Sequence, residues 1–175
     1  MKTDCKLMDM LTGYAASHQH PFNIFIHMIG IPTILLGVLI PLTWAGIDIN
    51  GVTVNLAHVA IVGFFLFYLT LDMTFAIVFL VFAFLMAQFA AYLNTQEAVS
   101  SAMIAAIAFF GGYLAQFIGH AVEKSMPVLV KHPIQANLAA PFFTVVELFK
   151  IFGLRDDLFN AVQEQIAARR QQEAA

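Results

Sequence analysis

Charge is what this sequence has least of: 11% of its 175 residues are Asp, Glu, Lys or Arg, against 61% hydrophobic. A soluble domain of this size carries roughly a quarter charged residues to cover its surface. The shortfall excludes an ordinary soluble fold and leaves the covering to lipid. Basic residues are missing altogether between residues 7 and 123; all eight (Lys2, Lys6, Lys124, Lys131, Lys150, Arg155, Arg169 and Arg170) lie in the flanks. With a net charge of −3 and no basic stripe interleaved with aromatics, nucleic acid is a poor partner. The lone Cys5 allows no internal disulfide and matches no metal or redox spacing. Gly-x-Ser-x-Gly, Gly-Lys-Ser/Thr and Gly-x-Gly-x-x-Gly are all absent, which removes the usual support for acyl or phosphoryl chemistry. The first 17 residues hold Lys2, Asp4, Lys6 and Asp9 rather than an apolar leader, so the chain is expected to insert through its first hydrophobic helix and stay whole.

What is present is a set of long apolar runs. A membrane-crossing helix needs roughly 20 apolar residues, and four windows fit: 21–47, 56–71, 73–93 and 98–118. Pro21 suits a first helical turn, whereas Pro32 and Pro41 lie inside the first window and are expected to kink it. Asp48-Ile49-Asn50-Gly51 closes that window, Asp72 alone separates the second from the third, and Asn94-Thr95-Gln96-Glu97 precedes the fourth. Ser100, Ser101, Ala105, Ala108, Gly111 and Gly112 make the fourth helix the expected packed centre. A fifth apolar stretch, 138–153, is short and contains Pro141, Glu147 and Lys150. It reads as an interfacial or re-entrant helix, followed by a polar tail over 156–175. The expectation is one all-α integral membrane domain: four transmembrane helices plus a C-terminal interfacial or re-entrant helix.

The basic flanks place both termini in the cytoplasm. That agrees with an even number of crossings and puts the Asp48 and Glu97 loops outside and the Asp72 turn inside. The membrane would be the inner membrane of a bacterium or the endoplasmic reticulum of a eukaryote.

Ionisable groups at membrane depth are costly, so each is a functional candidate. His18, His20, His27, His120, Asp72 and Glu123 all fall at the cytoplasmic face. Asn23 and His27 share a helical face with His20 one turn before, and Gln116, His120 and Glu123, spaced by four and three, form a second polar stripe. His18, His27 and His120 at one depth read as a shared site. Several imidazoles with few carboxylates suit iron or zinc over magnesium or calcium. Glu147 is a candidate partner of a ligating histidine. His58, at the outer end, reads as structural, and His132 as a solvated loop residue.

Three segments carry a specific resemblance. His18-Gln19-His20-Pro21-Phe22-Asn23-Ile24-Phe25-Ile26-His27 with Gly30-Ile31-Pro32, then Gln116-Phe117-Ile118-Gly119-His120 with Glu123-Lys124 and Pro127, then Leu138-Ala139-Ala140-Pro141-Phe142-Phe143 with Glu147 are similar to the blocks of one family. Tyr68 to Asp72 resembles its middle hairpin. The family is that of the fungal endoplasmic-reticulum 2-hydroxy fatty acid dioxygenase of phytosphingosine breakdown and its bacterial relatives, and the resemblance spans about residues 14 to 155. It implies an Fe(II)-dependent α-oxidation that shortens a 2-hydroxy fatty acid by one carbon with O2. It also implies His18, His27 and His120 as iron ligands, with His20 a further candidate and Asn23, Asp72, Gln116, Glu123 and Glu147 around them. Two other readings stand beside it: a non-enzymatic membrane protein whose His/carboxylate cap is structural or binds a partner, and a b-type haem protein with two axial histidines. A transporter is disfavoured, because no broken-helix pair carries charge at the midplane.

Overall fold

The computed structural model describes residues 2–95 and 100–173 of the chain. Among these the chain forms eight helices and one two-stranded hairpin: α1 (Lys2–Ala15), α2 (Pro21–Thr43), β1 (Gly46–Ile49), β2 (Val52–Asn55), α3 (Leu56–Leu69), α4 (Met73–Leu93), α5 (Ser101–Glu123), α6 (Val128–Lys131), α7 (Pro133–Ile151) and α8 (Asp156–Glu173). The expected Gln96-Glu97 loop, the expected helix start at Ala98 and the tail's Ala174 and Ala175 lie outside the described residues.

Four helices, α2, α4, α5 and α7, are long and apolar enough to cross a membrane. α3, with 14 residues, is shorter. At the helical rise it reaches about 21 Å against a hydrocarbon core of about 30 Å. It packs on α4 across the Thr70-Leu71-Asp72 turn, where the Asp72 side chain caps α4 by accepting from the Phe75 amide at 3.0 Å.

Two differences from the sequence reading have clear causes. The first helix stops at Thr43 rather than residue 47, because Asn50 and Gly51 adopt φ of 52° and 83°. Consecutive positive φ values make the two-residue turn that matches strand twist, and β1 pairs β2 in the register Ile49↔Val52 around it. Both Pro32 and Pro41 lie within one uninterrupted helix. The second difference is the centre of the bundle: α2, not the fourth helix, is the middle, with α5 on one side and the α3/α4 pair on the other. The small residues do set the close α2/α5 approach. A Cβ on Gly37 would lie 2.6 Å from the Phe109 amide nitrogen, and one on Gly112 2.6 Å from the Ile34 side chain.

α7 lies across one end of this bundle. Asn137 accepts from the Tyr113 hydroxyl at 2.8 Å, the Leu138 carbonyl accepts from Tyr68 at the end of α3, and Phe149 packs on Phe75 in the first turn of α4. The sequence reading began this helix at residue 138; it starts at Pro133, whose missing N–H costs nothing at a first turn. α1, a helix the sequence reading did not anticipate, buries Leu7, Leu11, Tyr14 and Ala15 on one face against α7 and α8. Thr12 donates to Gln165 at 2.7 Å and Arg169 pairs with Asp9 at 3.0 Å, which fastens α1 to α8.

Candidate metal centre

The three histidines reach one point from three separate segments. His18 sits in the turn after α1, whose last carbonyls hold it: the His18 backbone amide donates to Ala15 and its Nδ1 to the Tyr14 carbonyl at 2.7 Å. His27 lies in the second turn of α2, and His120 one turn from the end of α5. Antiparallel packing of α2 on α5 brings those helix ends together. The rings are in edge contact, with centroids 4.3 Å (His18 to His27), 4.8 Å (His18 to His120) and 4.9 Å (His27 to His120) apart. All three are buried, and one ligand nitrogen from each lies within 4.8 Å of the others.

Hydrogen bonds decide which nitrogen faces inward. A carbonyl only accepts, so His18 and His27, whose Nδ1 atoms face Tyr14 O and Asn23 O at 2.7 and 2.9 Å, are protonated there. His120 Nδ1 lies between Ser125 Oγ at 2.9 Å and Asn23 Nδ2 at 3.5 Å. His18 and His27 are thereby each left with an Nε2 lone pair. Such a second contact fixes tautomer and orientation in metal-ligating histidines. Nε2 of His18 is buried without a hydrogen-bond partner among the described residues, a cost that a metal ion would remove. Burial, and after it the neighbouring His27 ring, pushes the His18 imidazole down to about 3 against the pull of the Tyr14 carbonyl, so it stays neutral and able to ligate. The donor set therefore fits a divalent transition metal of the iron or zinc type.

Around the cluster, Asn23 is fully buried and donates to Glu123 at 2.6 Å, while the other oxygen of Glu123 accepts from the Gln19 amide at 2.8 Å. Glu123 thus ties the His18 turn and α2 to the end of α5 without joining the three nitrogens. Gly119 faces Asn23 so closely that a Cβ there would collide with Asn23 Oδ1. Gln116 lines the adjoining cavity.

The remaining sequence candidates are engaged elsewhere. His20 is exposed and caps α2, its Nδ1 accepting from the Phe22 amide at 3.2 Å. That use of its lone pair turns it away from the cluster. Asp72 pairs with Arg155 at 2.5 Å besides capping α4. Glu147 is buried on α7 and faces Lys150 at 3.6 Å. His58 completes a capping box with Asn55 at the start of α3, at the opposite end of the bundle, and His132 is exposed.

A cavity of about 270 Å³ opens from the histidines between α2, α5 and α7. Beyond His18, His27 and His120 it is lined mainly by apolar side chains, among them Ile31, Ile34, Leu35, Val38 and Phe64. From His27 to Val38 it follows α2 for three turns, about 16 Å at the helical rise. Among the described residues no Lys or Arg lines it. Sequence reasoning missed Tyr14, which stacks on His18 at 4.2 Å with 5° between ring planes. The apolar repeat Leu7, Leu11, Tyr14 was the signal that would have found it.

A buried three-histidine cluster at the polar end of an apolar cavity defines a membrane-type helical protein with a candidate metal centre. Known proteins give that class a family: the family model described as 2-hydroxy-palmitic acid dioxygenase Mpo1-like matches residues 6–151, and the chain belongs to it. No curated protein and no solved structure matches the chain.

Proposed function

We propose that the chain is a membrane-embedded Fe(II)-dependent dioxygenase that shortens 2-hydroxy fatty acids by one carbon, with both termini in the cytoplasm. The observation that carries this reading is the convergence of three buried imidazoles on a largely apolar cavity. Family membership supplies the reaction class. His18, His27 and His120 would hold the ion, and a bound ferrous ion supplies O2 activation and a positive charge for the substrate carboxylate. That charge matters because no Lys or Arg among the described residues lines the cavity.

The protein's own groups do the rest. Nδ1 contacts to Tyr14 O, Asn23 O and Ser125 Oγ orient the rings. The apolar wall along α2 takes the acyl chain and keeps water from it. An extended hydrocarbon advances roughly 1.25 Å per carbon, from C–C bonds of about 1.5 Å at tetrahedral angles. The reach from His27 to Val38 therefore suits about a dozen carbons. Ring centroids below 5 Å leave no gap for a macrocycle between two of these histidines, which sets the haem reading aside.

The test is metal analysis of the anaerobically purified protein beside the His18→Ala/His27→Ala/His120→Ala variant, with 2-hydroxyhexadecanoate and O2 supplied and the product measured by mass spectrometry. One iron per chain and a product one carbon shorter, both lost in a folded variant, is the expected result. No iron and no product from the parent would return the histidines to a non-enzymatic role.

A further inference from the structure

The polar end of the cavity holds more than the histidines. Tyr113 and Asn137 line it and satisfy each other, the Tyr113 hydroxyl donating to Asn137 Oδ1 at 2.8 Å. Tyr14 lines it too, is 5% exposed, and its hydroxyl makes no hydrogen bond among the described residues. The ring has no freedom to seek a partner: it is stacked on His18 at 4.2 Å and held from another side by Phe143 at 4.6 Å. Tyrosine hydroxyls in apolar surroundings usually find a hydrogen-bond partner, so one that is held in place beside a cavity with no partner among the described residues is available to a ligand atom there.

The chemistry of that ligand follows from the surroundings. An amphiphile entering with its tail along α2 places its head against the histidines, Tyr14 and Gln116. These groups have no fixed positive charge among them, so a carboxylate head would draw its protein contacts from neutral donors. A phenol O–H is the strongest neutral donor there, and a hydrogen bond to a charged acceptor is worth more than one to a neutral acceptor.

We propose that the Tyr14 hydroxyl donates a hydrogen bond to the carboxylate of the acyl substrate and so fixes its head beside the three histidines. This rests on the functional reading above. Because Tyr14 also forms a platform under His18, the test must separate recognition from packing. Tyr14→Phe keeps the ring, its stacking and its buried area, and removes only the donor.

The experiment is calorimetric titration of 2-hydroxyhexadecanoate into the purified, metal-loaded parent and Tyr14→Phe in detergent, with metal content and melting temperature measured on the same samples. Tyr14→Phe is expected to bind the acid roughly 10- to 100-fold more weakly, with metal content and melting temperature matching the parent. Equal affinity in the two proteins overturns the assignment and leaves the functional reading standing. Loss of metal from Tyr14→Phe overturns it in favour of a platform role. A parent that binds no 2-hydroxy acid overturns both.

Discussion

Glu123→Gln probes how the site is held together with the smallest possible change. In the native chain one carboxylate oxygen accepts from the Gln19 amide at 2.8 Å and the other from Asn23 Nδ2 at 2.6 Å. A glutamine keeps a carbonyl for Gln19 but turns an NH2 against the NH2 of Asn23, so one charge-assisted bond becomes a donor facing a donor. Such a bond contributes about 1.5–3 kcal/mol. Glu123 is only half-buried, so solvent screening reduces the loss to roughly 1–2 kcal/mol. For a chain of this size that lowers the melting temperature by about 2–8 °C. The larger effect falls on the metal: the Asn23 carbonyl orients His27 and Gln19 adjoins His18, and loss of such outer support weakens metal affinity by about 10- to 100-fold. Competition for Co(II) against a chromophoric chelator reads the affinity, and scanning fluorimetry reads the melting. Metal affinity within twofold of the parent would refute this account of Glu123.

Three further outcomes are expected. In the metal-free protein, keeping His18 neutral contributes stability that is complete above its ordinary 6.5 and is lost as pH falls toward about 3. In that window the unfolded chain binds a proton the folded chain does not, at a cost of up to about 1.4 kcal/mol per pH unit; melting curves of His18→Phe should show a shallower decline between pH 6.5 and 4 than the parent. Gly37→Ala sets a methyl against the backbone of Phe109 and Ala105, and overpacking of this kind costs about 1–3 kcal/mol, so its melting temperature should fall, while the same change at Gly63, inside α3 where a Cβ would meet nothing within 4 Å, should not lower it. Leu35→Trp narrows the cavity partway along α2; each methylene kept out of it forfeits about 0.8 kcal/mol, so KM for a 16-carbon 2-hydroxy acid should rise roughly 100-fold while an 8-carbon acid is scarcely affected.

Much of the architecture is legible in the sequence because long uncharged runs mark the helices that are long and apolar enough to cross a membrane. The same depth argument singles out His18, His27 and His120, and the structure brings those three rings together. Depth is a single coordinate, however. Asp72 shares that coordinate with the histidines, and only the lateral packing, with Arg155 drawing it off, separates it from them. His20 fails for a different reason: as the residue before Pro21 it is extended, with φ −78° and ψ 127°, and is used as a cap. The hairpin was present as Asn50-Gly51 between alternating apolar residues, a local signal overshadowed by the hydropathy of the run before it. Small residues on α5 announce close approach to a neighbour, but close approach is mutual and does not say which helix is central.

The fastening of α1 to α8 has a consequence for the order in which the site comes into being. Synthesis delivers His18 early, His27 shortly after it, and His120 only with the end of α5. The turn that carries His18 is seated by α1, and α1 is itself held by α7 and α8, which emerge after α5. A nascent chain therefore has its first imidazole without a seat until α7 and α8 arrive. Chains cut short before α8 would lack the Thr12–Gln165 and Asp9–Arg169 contacts, so the His18 turn would be held more loosely than in the chain that includes them.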